Sequence, residues 1–283
     1  MFDVAIIGTG PAGLSAALTL KSLGKDIIWF GSRNFSEKIR KAEMIRNYPG
    51  LSSVSGEEMK NAFAKQVDDM DIEITEKTVT GVYDMGDHYG ILCDQDSFAA
   101  KTVIFATGVE AVKAIDGELE YLGRGVSYCA TCDGFLYRGK TIGVVCTSKE
   151  HEHEIEYLAD IAEKVYLVPL YKDAAVYRDN IETIVAKPKE VVGGMKAEKL
   201  VFSDRELELD GIFFLKSAIT PSALLRGLEV EDGHITVNRA CETNLAGCFA
   251  AGDCTGRPYQ YVKAAGEGNV AAHSAVKYLS DRK

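Results

Sequence analysis

The stretch that decides the fold is DVAIIGTGPAG, residues 3–13. Its apolar first half predicts a buried strand, and Gly8, Gly10 and Gly13 fit the pattern G-x-G-x-x-G at the start of a helix. The first glycine permits a tight turn, the second lets the backbone approach a diphosphate, and the third lets strand and helix pack closely. The stretch therefore predicts a nucleotide-binding β-turn-α unit, with a plain strand-to-helix turn as the alternative for a lone fingerprint.

The rest of the chain repeats this pattern more faintly. Further strands are predicted at 26–30, 102–106, 141–146, 164–169 and 211–215, helices at 13–23, 149–164 and 261–279, and antiparallel segments within 77–98 and 199–209. Alternating strands and helices predict an α/β protein of two Rossmann-like, three-layer domains, the second inserted into the first. We place the first domain at 1–112 and 221–283, and the second at 113–220.

Composition and charge limit the possible partners. The 46% hydrophobic content and the mean hydropathy of -0.05 are typical of a globular protein, and no apolar run approaches the roughly 18 residues of a membrane span. With 32 basic and 42 acidic residues the net charge is -10, which argues against nucleic acid or an anionic membrane as the main partner. Seven cysteines, an odd number, in a long chain without a visible export signal predict a cytoplasmic protein.

The sequence CATCDG at 129–134 carries the clearest chemistry. Cys129 and Cys132 have the spacing of a reversible disulfide, and Asp133 is placed to exchange a proton with a thiol. Half of a zinc site is the alternative, but the sequence contains no second C-x-x-C and no H-x-x-x-H. A metal at His151 and His153 is likewise weighed against a solvated helix face, and we predict no metal site.

Five motifs together carry a family resemblance. They are GTGPAG at 8–13, NYPG at 47–50, ATG at 106–108, CATCDG at 129–134 and FAAGD at 249–253. In order and spacing they resemble the low-molecular-weight flavoprotein thioredoxin reductases over essentially the whole chain. The resemblance implies bound FAD, a homodimer, thioredoxin as a partner, and a redox disulfide beside the flavin ring.

The resemblance also implies roles for individual residues. Cys132 would face the flavin, Cys129 would exchange with thioredoxin, and Asp133 would be the acid and base. The first domain would bind FAD and the second would carry the disulfide. The residues expected to contact FAD are Gly8, Gly10, Pro11, Ala12, Gly13, Ser32, Asn47, Ala106, Thr107, Gly108, Gly252, Asp253, Gln260 and Tyr261.

One departure concerns the nucleotide ribose. The acidic residue that usually ends the second strand of such a unit is absent, and Gly31, Ser32 and Arg33 stand in its place. We therefore expect the backbone or Ser32 to hold the ribose.

A second departure concerns the electron donor. In NADPH-dependent members the second domain has its own glycine fingerprint, whereas this chain has GVVCTSKE at 143–150, followed by the carboxylates of Glu152, Glu154 and Glu156. The family's basic cluster after the next strand is also missing, and 169–171 reads PLY with only Lys172 nearby. The loss of both anion-binding features predicts that NADPH is not the donor.

This combination resembles a subgroup, the ferredoxin-dependent flavin thioredoxin reductases, which keep FAD and the C-x-x-C but lack the pyridine nucleotide motifs. Ferredoxin would then be the electron donor. Two alternatives stay open: an NADPH-dependent reductase with an atypical site, and a non-catalytic flavin-binding sensor. For an acidic ferredoxin we expect a docking patch among Arg33, Lys38, Arg40, Lys41 and Arg46, although a solvated helix face explains the same charges.

Overall fold

The computed structural model describes residues 1–40, 42–93, 96–109, 114–216 and 221–282. The chain divides into two compact units. Unit 1 comprises Met1–Val109 and Leu224–Lys283, and unit 2 comprises Glu110–Ala223. The domain junctions predicted at 112–113 and 220–221 fall at or beside segments that lie outside the described residues.

The first segment of unit 1 contains eight elements in the described residues, and they are β1 (Phe2–Ile7), α1 (Pro11–Ser22), β2 (Ile27–Phe30), α2 (Glu37–Arg40), α3 (Gly56–Asp69), β3 (Gly81–Asp84), β4 (Tyr89–Cys93) and β5 (Asp96–Phe105). The helices and strands between the two segments of unit 1 are β6 (Val126–Ser127), α4 (Ala130–Asp133), β7 (Thr141–Cys146), α5 (Glu152–Ile161), β8 (Lys164–Pro169), β9 (Ile181–Thr183), β10 (Glu190–Gly193), β11 (Ala197–Val201), β12 (Glu206–Glu208), β13 (Gly211–Leu215) and α6 (Pro221–Leu224). The chain closes with β14 (Val230–Glu231), β15 (His234–Ile235), β16 (Cys248–Ala250) and α7 (Tyr261–Ser280).

The main sheet of unit 1 has the strand order β2-β1-β5-β4-β3, and β16 also pairs with β5. Strand β5 is parallel to β1 and β16 but antiparallel to β4. The sequence separated an apolar strand at 102–106 from antiparallel strands within 77–98, and this separation was wrong. One continuous strand, Asp96–Phe105, serves both pairings, because β4 and β16 lie along successive parts of the same edge of β5.

Unit 2 contains a parallel sheet of order β6-β13-β7-β8-β9 and a separate antiparallel meander, β10-β11-β12. Strand β13 is buried along its whole length, as expected for a central parallel strand covered on both faces. The 149–164 helix prediction was too long, since α5 begins at Glu152 after a 3₁₀ turn over Lys149–His151. The α/β class with two Rossmann-like units, the second inserted into the first, is confirmed.

Each unit has its own apolar core. In unit 1 the core includes Trp29, Phe63 and Phe249, and in unit 2 it includes Ile142 and Leu158. Within the described residues, no helix is both long enough and apolar enough to cross a membrane.

Candidate active site

The glycine turn of unit 1 needs glycine at two of its three fingerprint positions. Gly8 has a φ of +111°, and a Cβ on it would lie 2.3 Å from the carbonyl oxygen of Ala106. A Cβ on Gly13 would lie 1.9 Å from the carbonyl oxygen of Gly8. A Cβ on Gly10, by contrast, would have no atom of a non-adjacent described residue within 4 Å. Open space beside a backbone glycine is what the approach of a diphosphate requires.

The same turn leaves backbone donors at the start of α1. Gly10 is the N-cap residue in an extended conformation and has no side chain with which to cap the helix. Pro11 at the first position lacks an N–H, so the first donors belong to Ala12 and Gly13. These N–H groups and the positive end of the helix dipole favour an anion.

The end of β5 lies beside this turn. The N–H of Ala106 donates to the carbonyl of Ile7 at 2.8 Å, which fixes 106–108 next to the end of β1. Thr107 Oγ1 is buried, and among the residues that the structure describes it has only a weak interaction with the Cys254 thiol. Gly108 has a φ of +70°, and a Cβ there would also meet only open space. A buried hydroxyl without a strong hydrogen bond, beside open space, fits a bound polar group.

Ser32 lies in the turn after β2. Its N–H donates to Thr9 Oγ1 at 3.2 Å, and its own Oγ accepts from the N–H of Asn34 at 3.1 Å. The hydroxyl proton of Ser32 is not used in either bond. The turn therefore presents a hydroxyl donor where the family pattern has an acid, and the role of Ser32 toward the ribose stays a prediction.

The segment after β16 joins the glycine turn. Gly252 has a φ of +91°, and a Cβ on it would lie 2.9 Å from the Ala12 side chain. The next residue, Asp253, has a side chain only 17% exposed, and its carboxylate lies 3.3 Å from Lys38 Nζ. Helices α1 and α7 also approach closely, since a Cβ on Gly268 would lie 2.0 Å from the carbonyl oxygen of Ala12.

Three of the remaining predicted residues surround a cavity of about 270 Å³. Asn47 Nδ2 donates to Gln260 Oε1 at 2.8 Å, and the hydroxyl of Tyr261 donates to the carbonyl of Lys38 at 3.1 Å. Burial raises the pKa of Tyr261, so its phenol stays protonated. All the residues predicted to contact FAD lie in unit 1, and their backbone amides, hydroxyls and single carboxylate fit a dinucleotide.

The predicted redox pair is joined in unit 2. Cys129 and Cys132 form a disulfide with a Cα–Cα distance of 5.3 Å. Cys129 is the N-cap of α4, and its Sγ accepts from the N–H of Cys132 at 3.1 Å. A backbone donor of this kind stabilises a thiolate at Cys129 after reduction. Cys129 is buried, whereas Cys132 is half-buried.

Ser127 supports this pair, and sequence reasoning missed it. Its Oγ accepts from the N–H of Cys129 at 3.0 Å and lies 2.6 Å from Asp133 Oδ2, to which it donates. One serine thus connects the backbone of the first cysteine with the carboxylate predicted to move protons. Nothing in the local sequence marks Ser127, because the contact depends on the turn between β6 and α4.

Two further features of unit 2 were missed. Phe135 and Leu136, directly after the CATCDG motif, are 60% and 52% exposed and form an apolar surface. A buried ion pair joins Lys216 Nζ to Glu118 Oε1 at 2.6 Å, and the same carboxylate oxygen accepts from the Tyr128 hydroxyl at 2.6 Å. Tyr128 immediately precedes the redox pair, so this network anchors the backbone that leads into it.

The second nucleotide-binding-like turn, between β7 and α5, is occupied by the chain's own groups. Glu152 Oε1 accepts from the hydroxyl of Tyr171 and from the N–H of Ala175, both at 3.1 Å. Burial raises the pKa of Tyr171, which keeps this hydroxyl a donor. Ser148 Oγ accepts from the N–H of Glu150 at 3.3 Å. One carboxylate and one serine hydroxyl therefore accept a phenol donor and two backbone N–H donors around this turn.

The histidines of this turn have ordinary partners. His151 Nδ1 lies 2.7 Å from Glu154 Oε1, and His153 Nδ1 lies 2.9 Å from the carbonyl oxygen of Glu150. Within the described ranges, no group of three or more histidine, cysteine or acidic side chains is placed to hold a metal ion.

The remaining cysteines are buried thiols. Burial raises the pKa of Cys146, Cys241 and Cys254 to about 11 and that of Cys248 to about 12. The Cys254 sulfur contacts the carbonyl oxygen of Ala251 at 3.2 Å. Such thiols are poor nucleophiles because the thiolate is scarce at neutral pH.

Comparison with known proteins agrees with this geometry. Residues 2–151 and 174–268 match the pyridine nucleotide-disulphide oxidoreductase family. A thioredoxin reductase from Helicobacter pylori is 34% identical over 308 residues, and the match covers 99% of each protein. Among solved structures, a ferredoxin-flavin thioredoxin reductase from Clostridium acetobutylicum is similar with a TM-score of 0.89 and 48% identity, covering 99% of this chain and 98% of that one. A thioredoxin reductase from Gloeobacter violaceus gives a TM-score of 0.78 at 26% identity, covering 100% and 95%.

A glycine turn open to a dinucleotide and a C-x-x-C disulfide define a flavoprotein oxidoreductase, and the chain belongs to the pyridine nucleotide-disulphide oxidoreductase family. Within that family it is a disulfide reductase of the thioredoxin reductase type, and its cofactor is FAD.

Proposed function

We propose that this reductase takes electrons from reduced ferredoxin and passes them through FAD and the Cys129–Cys132 disulfide to thioredoxin, acting as a homodimer. The observation that carries the proposal is the occupied turn of unit 2. There the carboxylate of Glu152, the first residue of α5, is held by Tyr171 and Ala175, and it puts a negative charge at the helix start that a pyridine nucleotide would meet.

Charge makes such displacement unfavourable. The first turn of α5 contains Glu152 and Glu154, both acidic, at the point where a diphosphate would sit. Carboxylates near a helix N-terminus are favoured by about 0.3–1 kcal/mol, so the turn is stabilised without a ligand. A second anion at the same place would be repelled by both side chains.

Reduction by ferredoxin is also favourable in energy. Plant-type ferredoxins have potentials near -400 mV, and thioredoxin lies near -270 mV. For two electrons, this difference of about 130 mV corresponds to roughly 6 kcal/mol. The Clostridium acetobutylicum protein that resembles this chain over almost its full length is a ferredoxin-flavin thioredoxin reductase, which supports the same donor.

The chain's own residues carry out the disulfide chemistry. FAD held by the glycine turn of unit 1 would supply a centre that converts single electrons from a donor into a pair for the disulfide. The disulfide takes up two electrons and two protons and becomes two thiols. Cys129, as thiolate, then attacks the thioredoxin disulfide to form a mixed disulfide, and Cys132 attacks Cys129 to release reduced thioredoxin. Asp133, held by Ser127, exchanges the proton of the departing thiol.

The surface beside the disulfide suits a protein substrate. Phe135 and Leu136 are exposed apolar side chains within four residues of Cys132. Exposed apolar groups at such a position favour contact with another protein. Because Cys129 is buried, its sulfur must become accessible before it can exchange with thioredoxin. We assign this change to the contact of thioredoxin with the apolar surface.

An anaerobic reduction experiment tests the donor. The oxidised yellow protein is mixed in separate runs with reduced ferredoxin, NADPH and NADH, and flavin absorbance is followed by stopped flow. We expect ferredoxin to bleach the flavin at least about 100-fold faster than either pyridine nucleotide. Chemical reduction with dithionite is the control for a competent flavin. Rapid bleaching by NADPH contradicts the proposal.

A further inference from the structure

The third residue of α7, Lys263, has its charge in an unfavourable place. The first turn of a helix favours acidic side chains, because the N-terminal end of the dipole is positive. Lys263 nevertheless turns its ammonium group back onto the loop between Gly252 and Gly256. Lys263 departs from this preference, yet its ammonium group has hydrogen-bond partners. Such a departure from a local preference indicates a functional role for the residue.

Four oxygen atoms surround this ammonium group at nearly equal distances. Lys263 Nζ lies 2.8 Å from the carbonyl oxygen of Gly252, 2.9 Å from that of Gly256, 3.0 Å from Thr255 Oγ1, and 2.9 Å from Glu267 Oε2. Carbonyl oxygens arranged in this way replace the hydration shell of a monovalent cation in protein ion sites. A lysine ammonium is a compact point charge with three donors, so it can take the place of such an ion.

Both ends of the loop have backbone conformations that glycine adopts and that other residues avoid. Gly252 has a φ of +91° and Gly256 a φ of +122°. Glu267 Oε2 accepts from the N–H of Gly252 at 2.8 Å and lies 2.9 Å from Thr255 Oγ1. Lys263 and Glu267 thus hold both ends of the loop against the first two turns of α7.

The loop contains Asp253, the carboxylate predicted to contact FAD, and it begins at Gly252, which packs on the glycine turn. We propose that Lys263 is a tethered cation, a positioning residue that fixes the Gly252–Gly256 loop in the conformation that binds FAD. Lys263 acts through the loop, because the four oxygen atoms around its ammonium group belong to the loop and to α7. This role is independent of which donor reduces the flavin.

Flavin release from the holoenzyme tests this role. In Lys263→Met we expect the FAD dissociation constant, measured by flavin fluorescence on dilution, to rise about tenfold or more, because several charge-assisted hydrogen bonds are lost. The matched control is Lys277→Met, the same change at an exposed lysine in the last turn of the same helix, which should leave FAD binding unchanged.

Chemical rescue separates a tethered cation from a general packing role. Methylammonium chloride at about 100 mM should restore most of the FAD affinity of Lys263→Met, whereas tetramethylammonium chloride at equal concentration should not, because it has no N–H donors. Wild-type affinity in Lys263→Met, or a loss that methylammonium leaves unchanged, overturns the proposal.

A milder variant keeps the test decisive if Lys263→Met does not fold. Thr255→Val keeps the charge but removes one of the four oxygens, and we expect FAD to bind about threefold more weakly. Lys263→Arg keeps the charge but replaces the point donor with a planar fork, and it should also weaken FAD. Unchanged FAD affinity in both variants contradicts a site shaped for an ammonium ion.

Discussion

The turn after β1 and the turn after β7 occupy the same position in two similar folds, but only the first is open. In unit 1 the helix begins at bare glycine backbone, and none of the described residues beyond its chain neighbours comes within 4 Å of a Cβ placed on Gly10. In unit 2 the helix begins with acidic side chains, and Glu152 is already hydrogen-bonded to Tyr171 and Ala175. Topology alone therefore does not make a nucleotide site, since the side chains of the turn decide whether an anion can enter.

The two turns also differ in how they are stabilised. The turn of unit 2 is complete without a ligand, because its own carboxylates interact with the helix dipole and the nearby donors. The turn of unit 1 keeps backbone donors at α1 and a buried Thr107 hydroxyl that has no strong hydrogen bond within the described part of the chain. We infer that FAD raises the free energy of unfolding of unit 1 in proportion to the logarithm of the FAD concentration. NADPH should cause no comparable increase for unit 2.

The largest expected effect separates the chemistry of unit 2 from the cofactor of unit 1. Cys129→Ser should reduce thioredoxin turnover by at least about 10³-fold, because serine at ordinary pKa does not exchange with a disulfide. The flavin spectrum and the FAD content should stay those of the wild type. The control is Cys93→Ala, which removes a buried thiol from unit 1 and should keep turnover. Turnover in Cys129→Ser above one tenth of wild type would refute the assigned role.

The next effect tests the open space at Gly10. Gly10 has φ -72° and ψ -176°, a conformation that alanine adopts without strain, and its Cβ would have no atom of a non-adjacent described residue within 4 Å. Gly10→Ala should therefore fold normally, but its methyl group should keep the diphosphate away and weaken FAD by about 100-fold. Equilibrium titration of the flavin-free protein measures this affinity.

The matched change in the other turn is Ser148→Ala, which removes a side-chain acceptor near the start of α5. It should lower the free energy of unfolding by about 1 kcal/mol and leave FAD affinity unchanged. If Gly10→Ala binds FAD as tightly as Ser148→Ala does, the contrast between the two turns is not the cause of cofactor binding.

Thiol reactivity gives a third contrast, between the redox pair and the buried cysteines. Burial raises the pKa of Cys241 and Cys254 to about 11, so at about pH 8 their thiolate fraction is roughly 100-fold below that of an ordinary cysteine. Labelling of these thiols should increase as the pH rises toward 11. Native protein at about pH 8 should incorporate no iodoacetamide when oxidised and one label after mild reduction, at the half-buried Cys132, as mapped by peptide mass spectrometry. Labelling of Cys254 at a similar rate would show that its thiol is not held in the protonated form.

The parts of this structure that sequence could predict are local. The glycine turn was predictable because its geometry depends on six adjacent residues. The helix Gly56–Asp69 was missed although its signal was present, since Ser55 and Glu58 form a capping box and Met59, Phe63 and Val67 repeat at helical spacing. The continuous β5 was missed because the pairing of one strand with several partners is decided by tertiary contacts.

The parts of the site that sequence could not predict depend on distant residues. Glu118 and Lys216 form their buried pair across 98 positions of the chain. Glu152 meets Tyr171 only because β7 and β8 are neighbours in the sheet of unit 2. From the carboxylates after β7 we could predict that no anion binds there. The hydrogen bonds of Glu152 could not be predicted, because their donors follow a different strand.

The smallest expected effect concerns the basic segment of unit 1 that we predict to be the docking patch for ferredoxin. It tests whether the surfaces of the two units differ in their attraction for an acidic partner. The structure limits which side chains can test it. Arg33 pairs with Asp68 and Lys38 pairs with Asp253, so changing either one would also remove an ion pair, and for Lys38 that pair involves the carboxylate predicted to contact FAD. Lys41 lies outside the described residues. Arg46 is exposed, and it is the most suitable position for a charge reversal.

Arg46→Glu should slow reduction by ferredoxin several-fold at about 20 mM salt, because an acidic partner is attracted less strongly. The rates of variant and wild type should converge near 0.5 M salt, where charges are screened within a few ångströms. The control is Arg178→Glu, an equal charge change at a half-exposed arginine of unit 2, which should leave the rate within about twofold. Equal slowing by both variants would mean that net charge, and not a surface of unit 1, governs the encounter. Reduction by dithionite must remain unchanged in both proteins, because this reductant needs no protein docking.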